Sequence, residues 1–381
     1  MRAEVAEFAR FRAYTQVVFG PGAIRTAGDL LRSHGVAKAL IVTDHGLVQA
    51  GLLDRATSAL AAAGVEYVVF DGVEPNPCFE TVERAADHYK SYLCQGILAL
   101  GGGSPIDVAK SVGVLATNHG GLADYIGIGK VVNPMPPLLA APTTVGTGSE
   151  VTIFAVITDK EQRKKAVIGS PQLAPLLAVL DPELVLSLPA ELVASTGMDA
   201  LTHAIESVIS VFASPFTDGV ALEAIRLITG HLPAAVASSA VEPRANLLYA
   251  SSMAGIAFSC ARTGLVHGMA HPLSSYCGVQ HGLANAILLP KVLAFNAPCC
   301  ESQLGRVAEA MGVMPDAGNA IQAVAALSAE VGIPARLSEV GVTEKSIPDM
   351  AQDAYSSANA QVVNPRKPSL AEVTALYQQS L

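Results

Sequence analysis

The stretch Gly96-Ile97-Leu98-Ala99-Leu100-Gly101-Gly102-Gly103-Ser104-Pro105 decides the fold. Residues 96–100 read as a buried strand, three glycines follow it, and the Ser-Pro step is a good start for a helix over 106–115. A loop without Cβ atoms lets backbone N–H groups come close to an anion, and the helix N-terminus adds partial positive charge. The arrangement suits a pyrophosphate. The run matches neither Gly-x-Gly-x-x-Gly nor the P-loop, and a plain tight turn would use the same residues.

The surrounding sequence repeats the rhythm. Residues 39–43 and 67–70 read as strands, 52–63 and 81–93 as helices, and a further strand over 137–141 runs into Pro142-Thr143-Thr144. Such alternation is that of an α/β domain with an open, mostly parallel sheet. Past residue 180 the pattern changes. Pro189-Ala190-Glu191 opens a helical segment, and long Ala/Leu-rich periodic stretches follow, including 216–228 and 317–331. We expect a dinucleotide-binding α/β domain over 1–185 and an all-helical domain over 186–381, joined near 181–188 without a flexible linker.

Composition narrows the function. A chain of 381 residues that is 51% apolar and 15% charged is too long for one small module and too apolar for disorder. Its net charge is −9 and its longest basic run is Arg163-Lys164-Lys165, so no nucleic-acid footprint is expected. Apolar runs such as 96–100 and 136–141 fall short of the roughly 20 residues of a membrane span. Acids at Glu4 and Glu7 stand where an export signal would need apolar residues, which points to a soluble, cytoplasmic protein with no membrane partner. The six cysteines show no Cys-x-x-Cys spacing and are expected to be reduced thiols.

Two further groups carry chemistry. Pro142-Thr143-Thr144-Val145-Gly146-Thr147-Gly148-Ser149-Glu150 is a second loop at a strand end, rich in hydroxyls that can donate to ribose or phosphate oxygens. Asp44 closes the strand 39–43; it can accept from an adenosine ribose and repel a 2′-phosphate, favouring NAD over NADP, or it can cap a helix. In the second half, His267, His271 and His281 cluster within fifteen residues, and Asp199 and His203 stand at i and i+4 on an apolar helix. One carboxylate and three imidazoles suit Fe(II) or Zn(II). Spacing alone leaves open which of the four histidines is not a ligand.

Together these motifs resemble the iron-containing (group III) alcohol dehydrogenases. The resemblance rests on Gly101-Gly102-Gly103-Ser104-Pro105-x-Asp107, Pro142-Thr143-Thr144-x-Gly146-Thr147, Gly197-Met198-Asp199-Ala200-Leu201-Thr202-His203-Ala204-x-Glu206, His267-Gly268-Met269-Ala270-His271-Pro272-Leu273 and His281-Gly282-Leu283-Ala284-Asn285-Ala286. It is nearest to the lactaldehyde:propanediol oxidoreductase-like branch, through 39–44 and Asn364-Pro365-Arg366. The resemblance implies a dehydroquinate synthase-like architecture with the metal in the cleft between domains, bound by Asp199, His203, His267 and His281. His271 then matches the family's non-ligand histidine near nicotinamide and substrate, in a proton-relay or orienting role. Asp44, Asn76, Gly102, Gly103, Ser104, Asp107, Thr143, Thr144, Thr147, Thr152 and Lys165 match NAD contacts, with Lys164 beside Lys165 as a competitor. The implied assembly is a homodimer or a larger oligomer built from dimers.

The implied reaction is hydride transfer between a short-chain alcohol or diol and NAD, with the metal activating the substrate oxygen. Two alternatives share the fold. A zinc glycerol dehydrogenase-like enzyme is one. A dehydroquinate synthase-like lyase is the other, and it needs basic residues for a phosphorylated substrate where the metal motifs offer little beyond Arg262. Phe154 and Phe258, near the Thr152 and His267 motifs, are expected either to line the substrate pocket or to pack the core.

Overall fold

The computed structural model describes residues 11–160 and 164–381; the N-terminal acids Glu4 and Glu7 and Arg163 lie outside the described residues. In chain order the strands are β1 (Gln16–Phe19), β2 (Lys38–Val42), β3 (Glu66–Phe70), β4 (Gly96–Gly101), β5 (Gly127–Ile128), β6 (Leu138–Pro142), β7 (Phe154–Asp159), β8 (Lys164–Gly169) and β9 (Leu177–Leu180). The helices of the first half are α1 (Ala27–Ser33), α2 (His45–Gln49), α3 (Leu52–Ala62), α4 (Phe79–Ser91) and α5 (Gly103–Thr117). Those of the second half are α6 (Ala190–Ile209), α7 (Pro215–Ala237), α8 (Val241–Ala261), α9 (Leu265–Cys277), α10 (His281–Ala310), α11 (Ala317–Glu330), α12 (Ile347–Ser356) and α13 (Leu370–Ser380).

Six strands pair in the order β1-β9-β6-β4-β2-β3, every pair parallel. The central strands read as continuous apolar runs because both faces are covered. Leu40, Val42, Ile97 and Ala99 pack with α4 and α5, while Ala39, Ile41, Leu98 and Leu100 point to the opposite face against α1 and α3. The chain leaves β2 in one direction to β3 and returns across β2 to β4. The helices that follow β2 and β4 therefore lie on opposite faces, and a crevice opens at the carboxyl ends of these two strands. Asp44 and Gly101-Gly102-Gly103 stand at its rim.

A second, three-stranded sheet, β5-β8-β7, was not anticipated. Its antiparallel hairpin β7–β8 shows the half-buried alternation of a sheet with one covered face, and β1 and β9 were likewise too short to stand out from sequence. Helix α5 begins at Gly103 rather than near Ile106. Gly102 takes extended angles as its cap, and Ser104 and Pro105 fit the first turn because N–H groups there have no intrahelical partner. Helix α7 continues to Ala237, through Pro233 and well past residue 228.

Helix α6 is the axis of the helical half: every residue from Val193 to Ile209 is buried. Around it α7, α8 and α10 form one large apolar core. Helices α7 and α10 have the length and mean hydropathy, 1.3 and 1.4, of membrane spans, longer apolar segments than the short runs of the sequence suggest. Both pack into this core, α7 against α6 and α8, and α10 against α6, α9 and α11.

The halves meet backbone to backbone. A Cβ added to Gly146 would lie 2.4 Å from the Thr196 carbonyl oxygen, and one added to Gly148 (φ 61°) would lie 2.7 Å from Gly255 Cα. Behind this contact the Lys110 ammonium is wholly buried and donates to the Thr152 carbonyl (3.0 Å) and hydroxyl (3.0 Å), the Phe154 carbonyl (2.7 Å) and Ser149 Oγ (3.2 Å). Burial brings Lys110 down to about 8, opposed by the carboxylates of Asp107 and Glu150. Lys110→Ala should lower unfolding stability by about 3–5 kcal/mol, because it strands buried acceptors and acids together. Urea denaturation checks this, and a loss below about 1 kcal/mol, the scale of an exposed pair, would contradict it.

Candidate active site

Three stretches of helix aim the chemistry at one point. Asp199 and His203 lie one turn apart on α6, His267 lies in the first turn of α9, and His281 is the first residue of α10. One ligand atom from each of Asp199, His203 and His267 lies within 4.8 Å of the others, and all three residues are buried. His267 Nε2 is 3.8 Å and His281 Nε2 4.0 Å from Asp199 Oδ1. The rings pack tightly: His203 stacks on His267 with centroids 4.5 Å apart, and His271 stacks on His281 at 5.3 Å. His271 is 6.2 Å from His267, ring to ring.

Each side chain has a physical reason to be where it is. Gly282 lets the start of α10 lie on α6, since a Cβ there would meet the Ser195 carbonyl at 2.5 Å. Asn364 Oδ1 accepts from Leu265 N (3.1 Å), and Glu206 Oε1 accepts from Val266 N (2.8 Å), so two distant side chains satisfy the first turn of α9. Glu206 Oε2 is 2.6 Å from His267 Nδ1. Phe258 stacks on the outer face of His203 at 4.3 Å.

Electrostatics match the donor set. Burial holds His203 down at about 3 and His271 and His281 at about 4, while His267 is lowered well below its ordinary value. The Lys165 charge adds to the depression of His271 and His281. Burial raises Asp199, against the pull of His281 and the Asn285 amide, and raises Glu206 against three backbone N–H groups, shifts that the positive charge of a bound cation would oppose. At neutral pH the imidazoles are neutral and can serve as ligands.

A divalent cation fits this group. The Asn285 amide nitrogen is 2.6 Å from Asp199 Oδ1, 3.2 Å from His267 Nε2 and 3.2 Å from His281 Nε2, and its two hydrogens cannot serve three acceptors fully. The carbonyl oxygen of the same amide is buried without a partner. The acceptors converge as they would on a metal, and the donors are nitrogen and oxygen only.

The dinucleotide side assembles at the crevice. Gly102 and Gly103 lie against the loop after β6: their added Cβ atoms would meet Thr144 Cγ2 at 2.9 Å and Thr147 Cγ2 at 3.1 Å. Ser104 opens α5 beside them, and Thr143 N donates to the Gly101 carbonyl. The Thr144 hydroxyl is buried without a partner beside these glycines, as a site awaiting a polar ligand would leave it. Asp44 caps α2 through Oδ1, accepting from Leu47 N at 3.0 Å. Asn76 (φ 55°) accepts through Oδ1 from Lys165 Nζ at 2.6 Å, and Thr158 Oγ1 accepts from the same ammonium at 3.1 Å. Lys164 turns away to Asp353 at 3.3 Å.

Two residues sit deeper than expected. Asp107 accepts from Ser149 Oγ and from Val156 N (2.9 Å), and the Thr152 hydroxyl accepts from Lys110, so both are already engaged in the network that fixes the loops. The Phe154 ring packs on Gly169, and it lines a cavity of about 170 Å³ with Arg12, Tyr14, Ile128, Ile153, Ser259, Cys260 and Arg262. Sequence reasoning gave no role to Lys110, Glu150, Glu206 or Asn285. The signal for Glu206 was available, because Asp199, His203 and Glu206 follow i, i+4, i+7 on one helix face.

Two family models cover the chain, iron-containing alcohol dehydrogenase over residues 14–182 and the C-terminal domain of the Fe-containing alcohol dehydrogenase family over 193–381. The 1,3-propanediol dehydrogenase of Citrobacter freundii is 44% identical over 95% of this chain and 96% of its own. The NAD-dependent methanol dehydrogenase of Bacillus methanolicus is 37% identical over 96% of this chain and 97% of its own. A crystal structure of 1,3-propanediol oxidoreductase superposes with TM-score 0.96 at 41% identity, covering 98% of this chain and all of that one. The chain belongs to the iron-containing alcohol dehydrogenase family. It is an oxidoreductase acting on alcohols, which sets aside the lyase alternative.

The depressed histidines give a direct check. In the metal-free protein the ring signals of His271 and His281 should stay constant from pH 8 to 5.5 and move only toward about 4. An NMR titration inflecting near 6.5, the ordinary histidine value, would contradict the depression by partial burial and the Lys165 charge.

Proposed function

We propose that this chain interconverts short-chain alcohols or diols and their aldehydes with NAD, using Fe(II) held by Asp199, His203, His267 and His281. The observation that carries the reading is the convergence of Asp199, His203 and His267, all buried, within 4.8 Å. His281 completes the set because its Nε2 faces Asp199 Oδ1 and the same Asn285 amide as His267, and this reading leaves His271 as the non-ligand. Zinc fits the same donors. A divalent ion bound there supplies a Lewis acid that lowers the pKa of an alcohol oxygen and polarises a carbonyl, and NAD supplies the hydride acceptor.

This chain's own residues do the rest. Gly102, Gly103 and Ser104 bring backbone N–H groups to the pyrophosphate, with Thr143, Thr144 and Thr147 lining the facing loop. Asp44 takes the adenosine ribose through the carboxylate oxygen that the cap leaves over, and its charge disfavours a 2′-phosphate. Asn76 and Lys165 hold the cofactor from the hairpin side, while Asp107 and Thr152 keep the loops in place from within. Phe258 walls the site with an apolar ring and excludes water. His271 orients the hydroxyl at a ring nitrogen or relays its proton onward, as a passing carrier rather than a resting base, because burial and Lys165 hold it at about 4.

The short alcohols in the names of the relatives fit a site walled by Phe258. The same proposal takes the chain as a cytoplasmic homodimer or larger homo-oligomer with small-molecule substrates, the two domains meeting between 181 and 188.

Anaerobic Fe(II) reconstitution followed by nicotinamide absorbance with short alcohols and aldehydes tests the reading. Metal-dependent turnover with NAD is expected; none with any pair, despite bound NAD and metal, would contradict it. Asp199→Ala and His267→Ala should each abolish turnover while leaving the NAD Kd within about threefold, a spread below 1 kcal/mol. Full activity in either variant removes the ligand assignment. Asp44→Gly should narrow the preference for NAD over NADP by roughly tenfold, about the value of one charge contact near a surface, and an unchanged ratio of kcat/KM values would return Asp44 to a purely capping role.

A further inference from the structure

Glu206 has no part in the scheme above, yet its two oxygens connect the metal site to the helix that carries His267. It lies three residues after His203 on α6 and is 1% exposed. Oε2 meets His267 Nδ1 at 2.6 Å, and Oε1 accepts from Val266 N at 2.8 Å. Helix α9 has glycine as its N-cap and so no capping side chain of its own. Gly264 is also what admits the carboxylate, since a Cβ there would stand 3.1 Å from Glu206 Oε1. Of the two side chains that hold the first turn of α9, Asn364 meets that helix at the Leu265 backbone and also pairs with the Asn296 amide, whereas Glu206 reaches both the backbone and the imidazole of α9.

We propose that Glu206 is a positioning residue for the metal: by accepting from both His267 Nδ1–H and Val266 N–H it fixes the ring orientation and the tautomer whose Nε2 lone pair faces Asp199. This rests on the reading of His267 as a ligand. A metal-bound imidazole keeps its proton on the other nitrogen, so an acceptor there sets ring orientation and raises ligand basicity. Only a carboxylate offers an acceptor to both donors. Glutamine at this position must turn its NH2 group toward either Val266 N–H or His267 Nδ1, and the latter choice favours the tautomer protonated on Nε2, which cannot bind a metal.

The test compares wild type, Glu206→Gln and Asn364→Ser. Asn364→Ser loosens the same helix turn without touching the imidazole. Zn(II) affinity is read by competition with a chromophoric chelator, and metal-free thermal unfolding is read in parallel. Glu206→Gln should weaken the Zn(II) Kd by roughly 10–100-fold, the usual effect of losing an outer-shell partner, while Asn364→Ser, at a comparable loss of Tm, keeps it within about threefold, less than 1 kcal/mol. An unchanged Kd in Glu206→Gln overturns the proposal, and so does an equal loss in the two variants, which would leave Glu206 as a helix cap only. Wild type that binds no Zn(II) would sink the metal reading along with it. If Glu206→Gln does not fold, NMR of the zinc-loaded wild type decides. A slowly exchanging His267 Nδ1–H, shifted downfield by a charged acceptor, supports the role, and one that exchanges freely with solvent overturns it.

Discussion

The Asp199 carboxylate, taken out of water on a helix buried from Val193 to Ile209, is the constraint on which the rest of the helical half depends. A lone buried carboxylate is costly unless charge or hydrogen bonds compensate it. Among the described residues the protein itself supplies one amide, Asn285, whose two hydrogens are divided among Asp199 and two imidazoles. Glu206, a second buried acid, sits two turns further along the same helix, and both acids are raised by burial. Two acids, three converging imidazoles and a half-satisfied amide make a centre of excess electron pairs, and a divalent cation is the charge that balances it. On the proposed assignment the site is built at the expense of local stability and would recover it on binding metal.

The α/β half is arranged to deliver its ligand to that centre. The reversal of strand order at β2 and β4 opens the crevice, and adjacent strands β4 and β6 bring the two glycine-rich loops into contact there. The loop after β6 then continues onto α6 and α8 with no side chain between, at Gly146 and Gly148. The backbone of Gly146 also approaches the His203 ring, so one loop borders both the proposed cofactor crevice and the proposed metal centre. The unanticipated β7–β8 hairpin adds Lys165, whose field reaches His271 and His281 across the cleft.

Much of this was legible in sequence, and the reasons are local. The strand, triple glycine and helix at 96–117 read correctly because buried parallel strands are continuous apolar runs and glycine punctuates them. The helix start was placed three residues late because Ser104 and Pro105 look like a cap and a first residue, whereas extended Gly102 takes that part. Short strands such as β1 and β9 carry four residues each and depend on sheet partners rather than on their own propensity. Asp199 and the histidines stood out because polar groups interrupt apolar periodicity. Which of the four histidines is not a ligand is not legible there, since His267 and His271 sit a turn apart on one helix. Lys164 and Lys165 could be told apart only by strand register, which turns one toward Asp353 and the other toward Asn76. Asn285 and Lys110 escaped notice because an amide or amine within a motif gives no sign that it will be buried against acceptors distant in sequence.

X-ray absorption at the iron edge of the Fe(II)-loaded protein tests the central claim most directly. The account predicts one iron per chain in a nitrogen and oxygen shell, with multiple scattering from three imidazoles and no sulfur. A thiolate in the shell, or the absence of imidazole scattering, would contradict it and move the metal away from Asp199.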